Sequence, residues 1–198
     1  MTAHAFPLTI ERLSYGPAGI GRVNGKVVFV PETVPADEVE VEIDEEKKGY
    51  ARGHIVQMIS PSPHRRMPPC QYVHQCGGCS WQHITYEEQL RVKAELVREQ
   101  LRRIGGLHDI PLLPILASPQ EWQYRHRIRL RVDDQARVGF SPLRSHALVE
   151  IGSCLIAWPD VGTHLQAVRD WVRALRTSVT QMELAISEPQ DVPKETQI

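Results

Sequence analysis

The stretch CQYVHQCGGCSWQH, residues 70–83, holds three of the four cysteines in the chain. Cys70, Cys76 and Cys79 are spaced C-x5-C-x2-C, and Gly77 and Gly78 precede the third thiol. The fourth cysteine, Cys154, lies far downstream. Four thiolates are the ligand set of a cubane iron–sulfur cluster and also of a tetrahedral zinc. The two glycines let the backbone wrap closely around a bound centre. His74 and His83 lie nearby and could replace a thiol at zinc. Structural zinc sites commonly use two short C-x2-C knuckles, and this chain has one. That favours a 4Fe–4S cluster, with zinc as the alternative and buried structural cysteines as the bland reading. A cluster with four protein ligands has no open iron, so its role is structural or redox-sensing.

The remaining composition bounds the class. The chain has 198 residues, 41% apolar and 24% charged, which is ordinary for a globular protein. The N-terminus lacks the basic start and apolar core of a signal peptide. No apolar run reaches the roughly 18 residues of a membrane span. The expectation is a cytoplasmic protein with no membrane contact, where thiols stay reduced and clustered cysteines hold metal rather than form disulfides. The net charge of −1 hides a gradient. Residues 61–154 carry thirteen Lys/Arg against nine Asp/Glu, while residues 1–60 carry six against nine.

Residues 1–60 read as β-structure. The run EVEVEI alternates charged and apolar side chains, the mark of a half-buried strand, and glycines and prolines divide the runs at the spacing of a small barrel. The glycine-rich run Gly16–Gly21 fits no phosphate-binding motif and reads as barrel turns. SPSPHRRMPP, residues 60–69, reads as a linker. Residues 86–104 predict a helix, with Thr85 and Glu88 as a capping box and Leu90, Ala94, Val97, Leu101 and Ile104 as its apolar face. Further strands are expected over 122–156, the last of them delivering Cys154. A second amphipathic helix follows near 160–175, then a strand in VTQMELAI. The division expected is a barrel over 1–60, an α+β lobe with the cluster over 61–186, and a frayed polar tail over 187–198.

YRHRIRLRV, residues 124–132, is the second chemical signal. With a period of two, Arg125, Arg127, Arg129 and Arg131 share one face. Four arginines side by side repel unless an anion lies across them, and a nucleic-acid backbone is such an anion. Arginine planes also stack on splayed bases. Tyr124, Arg125, Arg127 and Arg129 are the candidate RNA contacts. The competing expectation is that Asp133, Asp134 and Glu150 neutralise the arginines.

The run from PPCQYVHQCGGCSWQH through the following helix resembles the cluster loop and helix of bacterial RNA (uracil-5-)-methyltransferases. AGIGRVNGKVVFVPETVPADEVEVEI is similar to their N-terminal TRAM domain, an OB-like RNA-binding barrel. YRHRIRLRV and VGFSPLRSHALVEIGSCLIA resemble their central domain. The resemblance implies an α+β protein: an OB-like barrel followed by an iron–sulfur lobe, with Cys70, Cys76, Cys79 and Cys154 as ligands. The barrel and the arginine strand would hold structured RNA, rRNA or tRNA. Such enzymes continue into a Rossmann-like domain that binds S-adenosylmethionine and supplies the catalytic cysteine. The chain reaches Ile198 without one, and its four cysteines go to the cluster. The expectation is an RNA-positioning portion with no catalytic residue of its own, inactive alone. It would need S-adenosylmethionine only when a catalytic domain is supplied, as by a separately encoded chain. The alternative is a stand-alone zinc- or iron–sulfur-stabilised RNA-binding module acting in trans.

Overall fold

The computed structural model describes residues 5–143, 145–175 and 178–186; the tail expected over 187–198 lies outside the described residues. Among these residues the protein is mostly β, with ten strands and three helices. The chain falls into two compact units. One joins Met1–Pro69 with Cys79–Ala117, and the other joins Cys70–Gly78 with Ser118–Ile198.

The first unit begins with β1 (Phe6–Thr9), β2 (Arg12–Leu13), β3 (Ala18–Val23), β4 (Lys26–Pro31), β5 (Glu38–Glu46) and β6 (Tyr50–Ser60). They form one sheet in the order β1-β5-β6-β4-β3-β2. Its two ends, β1 and β2, are separated in sequence only by Ile10 and Glu11, so the sheet curls onto itself. Three register irregularities between β5 and β6 supply bend and twist. The alternation in β5 works as the sequence predicts: Val39 and Val41 are fully buried and Glu38 faces water. They join Leu8, Ile10, Val28, Val30 and Ala51 in the barrel core.

The glycine-rich run is only partly a turn. Gly19 and Gly21 lie within β3, where the chain passes close to β1 and the segment after β4. A Cβ on Gly19 would collide with Thr33 and Ile10, and one on Gly21 would sit 2.6 Å from the Thr9 carbonyl. The true turn is Asn24–Gly25, with φ of 49° and 79°, the left-handed pair favoured in two-residue hairpins.

The expected linker is tied down. The buried carboxylate of Asp37 accepts from the backbone N–H groups of Val34 (2.6 Å) and Ser62 (2.8 Å). It also accepts from Arg65 Nε (2.8 Å) and Nη2 (2.7 Å). Beyond Ser60, prolines keep the segment out of regular helix and strand, but the three bonds from Ser62 and Arg65 hold it on the barrel.

Helix α1 (Tyr86–Arg103) forms where expected, but its packed face differs. Val92 and Leu96 are buried with Leu13, Val34 and Ile84, whereas Val97 and Ile104 are 51% and 81% exposed. The capping box is also absent: Thr85 makes no side-chain cap bond. The Glu88 side chain is buried and bonded to Arg91 at 2.5 and 2.6 Å. Those bonds hold the Glu88 carboxyl below its usual range despite burial. The helix turns Val92 and Leu96 inward because the neighbouring core offers apolar partners there, and Arg91 of the same helix satisfies the Glu88 carboxylate.

The second unit holds β7 (Arg127–Val132), β8 (Val138–Phe140), β9 (Val149–Glu150), α2 (Pro159–Thr163), α3 (Leu165–Ala174) and β10 (Gln181–Ala185). The sheet order is β10-β7-β8-β9, antiparallel throughout. Ile128, Leu130 and Val132 of β7 pack against Val161, Leu165, Val168 and Val172 of the helices. The β7–β8 hairpin turns where VDDQAR predicts. Asp133 accepts from the N–H groups of Gln135 (3.0 Å) and Arg137 (2.9 Å). The expected single helix is broken at His164 into α2 and α3. The strand expected to deliver Cys154 stops at Glu150. The next ladder groups are taken elsewhere: the Ile151 carbonyl by the Arg169 guanidinium and the Gly152 N–H by the Tyr72 hydroxyl.

Replacing Asp37 with Ala should strip the carboxylate from Arg65 and leave two backbone donors without their acceptor. A loss of about 3–5 kcal/mol is expected for breaking a buried pair, read from urea unfolding of the full chain. Acid should also destabilise the first unit. Burial lowers the pKa of His83 below 6.5, against a weaker raising effect of its bond to the Thr33 carbonyl. The unfolded state therefore takes up a proton first. The stability held by neutral His83 is complete above about pH 6.5 and is lost as pH falls through the lower folded value. Replacing His83 with Gln should flatten that part of the pH–stability curve.

Candidate metal loop and nucleic-acid interface

The cysteine loop is built by turns rather than by regular structure. The Val73 N–H donates to the Cys70 carbonyl (3.2 Å), and the Cys76 N–H to the Tyr72 carbonyl (2.7 Å). Within the second unit, residues 70–78 are anchored at two points. The Gly77 N–H donates to the Ser141 carbonyl (3.0 Å), and the Tyr72 hydroxyl accepts from the Gly152 N–H (2.8 Å). Gly152 lies two residues before Cys154, so one side chain links the segment of Cys70 and Cys76 to that of Cys154. Gly77 is required by the close approach: a Cβ there would sit 2.6 Å from the Leu143 nitrogen.

All four cysteines are half-buried thiols. Among the described residues, no three His, Cys, Asp or Glu side chains form a group that could hold a metal ion. Cys70, Cys76 and Cys154 lie in the second unit and Cys79 in the first; as a donor set they have the chemistry of a four-thiolate centre. The set is all sulfur, it is partly shielded from water, and Cys154 packs beside the apolar core of its unit. His83 does not join this set. It is buried with Nε2 3.4 Å from the Thr33 carbonyl.

The arginine strand is shorter than the sequence suggests. β7 starts at Arg127. Tyr124 and Arg125 precede it, both exposed, with the Arg125 backbone bridged to Ala157. The alternation itself holds: Arg127 and Arg129 face water, with side chains 70% and 66% exposed, while Ile128 and Leu130 are buried. Arg131 bends away and donates to Ser141 Oγ and the His146 carbonyl, both at 3.0 Å.

Two of the three expected neutralising acids are engaged elsewhere. Asp133 pairs with Arg137 at 2.6 Å and Glu150 with Arg169 at 3.5 Å. The carboxylate beside the strand is instead Glu183 of β10, which lies opposite Arg129 in the ladder. It is 3.4 Å from both Arg127 and Arg129. One carboxylate serves two guanidinium groups, so this face keeps a net positive charge. The signal for Glu183 was the alternation in QMELA, but pairing with β7 is a long-range choice that spacing does not reveal.

Comparison with known proteins places this geometry. The TRAM domain family model matches residues 5–56. The chain is also homologous to RNA methyltransferases. It is 40% identical over 186 residues to an uncharacterized RNA methyltransferase of Bdellovibrio bacteriovorus, covering 93% of this chain and 47% of the relative. A second, from Aquifex aeolicus, is 36% identical over 85% of this chain and 40% of its own length. The solved tRNA (uracil-54, C5)-methyltransferase of Pyrococcus abyssi, in complex with S-adenosyl-L-homocysteine, matches with a TM-score of 0.52 and 27% identity. That match covers 84% of this chain and 36% of the Pyrococcus chain. This chain thus spans less than half the length of these relatives and corresponds to their N-terminal portion. No helix among the described residues is long and apolar enough to cross a membrane.

The shared carboxylate gives a direct test of the arginine face. Replacing Glu183 with Gln should unmask both guanidinium groups and delay elution from a heparin column. Replacing Arg127 with Ala should advance it. Identical elution of the three proteins would show that polyanions do not use this face.

Proposed function

We propose that residues 1–198 are the RNA-gripping and cluster-bearing portion of an RNA (uracil-5-)-methyltransferase. The observation that carries this reading is homology along almost the whole chain to the N-terminal portions of RNA methyltransferases. The arginine face supports it. Arg127 and Arg129 would contact the phosphates of rRNA or tRNA, releasing counterions, and Tyr124 and Arg125, just before β7, would extend that surface. Cys70, Cys76, Cys79 and Cys154 would hold a 4Fe–4S cluster, with zinc as the competing occupant. With all four thiols so used, none among these residues remains to attack a pyrimidine ring. Methyl transfer from S-adenosylmethionine is then assigned to the portion of the relatives that this chain does not match.

Four thiolates from segments so far apart in sequence would make metal binding part of folding. The Tyr72 bond to Gly152 would then limit how far the Cys70–Cys76 turn can move from Cys154. When bound, the cluster supplies a covalent tie between these segments, and no open iron for a substrate.

The test is metal analysis after anaerobic purification. About four iron and four sulfide per chain are expected, and Cys154→Ser should lose both. One zinc without sulfide would retain the thiol site and favour the RNA-binding module acting in trans. Filter binding of a structured tRNA at two salt concentrations should show affinity falling steeply with salt. A salt-independent or absent interaction would overturn the RNA reading. Incubation of the chain alone with S-adenosylmethionine and RNA should yield no methylated uridine.

A further inference from the structure

Tyr15 is 85% exposed, yet its loop is held tightly. The Ser14 N–H and hydroxyl both donate to the Ala18 carbonyl, at 2.9 and 2.7 Å. The Gly16 N–H donates to the Ser14 carbonyl (2.8 Å), and the Trp81 indole N–H donates to the Gly16 carbonyl (3.3 Å). A rigid turn thus presents an aromatic ring to water at an evident hydrophobic cost. The same loop borders an open cavity of about 510 Å³ within the first unit. Trp81 forms part of its wall, and α1 supplies Lys93, Val97 and Leu101 from successive turns. The lining is almost wholly apolar, with Lys93 as its cation.

Position on the barrel narrows the occupant. In OB-type barrels the loop joining the first two strands borders the surface that oligonucleotides occupy. Here β1 and β2 make one interrupted first strand, so that loop is residues 14–17, which carry Tyr15. An aromatic ring on such a loop is a stacking platform for any base. Lys93 complements the phosphate that accompanies a base, a charge match that a purely apolar protein surface would not need.

We propose that this cavity takes a single unstacked nucleobase of RNA, stacked on Tyr15, with its phosphate near Lys93. The proposal rests on the RNA-binding reading above and adds a second contact site, separate in sequence from the arginine strand. Neither residue is buried, so substituting them leaves the core intact.

The test is binding of a single-stranded oligouridylate of about 12 nucleotides, within the span of one OB-type barrel, to the full anaerobically purified chain. Tyr15→Ala should weaken binding about tenfold or more, as expected for one lost stacking contact, with an unchanged salt slope. Tyr15→Phe should bind like the parent. Lys93→Gln should lower the salt slope by about one phosphate contact. If the parent binds and Tyr15→Ala binds equally well, the base pocket is wrong and the RNA reading stands. If the parent binds neither this RNA nor tRNA, both fail. If Tyr15→Ala instead abolishes a self-association seen in sedimentation, the cavity is a contact between copies and the proposal is overturned.

Discussion

The buried carboxylate of Asp37 organises the first unit. It accepts four hydrogen bonds, two from backbone groups and two from one guanidinium. Through the Ser62 N–H and the Arg65 guanidinium it anchors to the barrel a segment whose prolines exclude helix and central strand. Because that segment is held, Arg65 can form its bridge to Ile84. Ile84 then joins Leu13, Val34, Val92 and Leu96 in the core beneath α1. A charge with no access to water is thus satisfied by ordering the chain around it. The same logic recurs at Glu88, whose side chain is buried against Arg91.

In the second unit, Tyr72 and Arg169 act on neighbouring backbone groups. The Tyr72 hydroxyl accepts from Gly152, and Arg169 donates to the carbonyl of Ile151. Together they end β9 and release the chain from the sheet just before Cys154. A strand continuing through Cys154 would turn successive side chains to opposite faces. The irregular segment is freed from that constraint. The arginines of β7 remain available to an anion for a related reason. Asp133 is consumed by its own hairpin turn and Glu150 by Arg169, leaving Glu183 to serve two arginines.

Period-two alternation in EVEVEI and RIRLRV was legible because a strand with one buried face must alternate. The hairpin at Asp133 was legible because few residues satisfy that turn locally. The helical span of α1 was legible as well, from its spacing and its terminal glycines. Its orientation was not. Leu90, Val97 and Ile104 make as good an apolar stripe as Val92 and Leu96, and only the barrel decides which edge is covered. The capping box failed for a similar reason: Glu88 found a stronger partner in Arg91 than in the helix N-terminus.

By itself, the sequence determined the elements and the chemistry: where strands alternate, where the chain turns, which four thiols exist and which strand carries arginines. These are local properties, set within a few residues by sterics and side-chain type. Only the tertiary structure decided that the proline-rich segment is anchored, that Gly19 and Gly21 serve packing, that Glu183 faces the arginines, and that Tyr15 stands beside a cavity. Each of those depends on residues distant in sequence competing for the same burial or the same charge, and the outcome of that competition is fixed only when the chain has closed on itself.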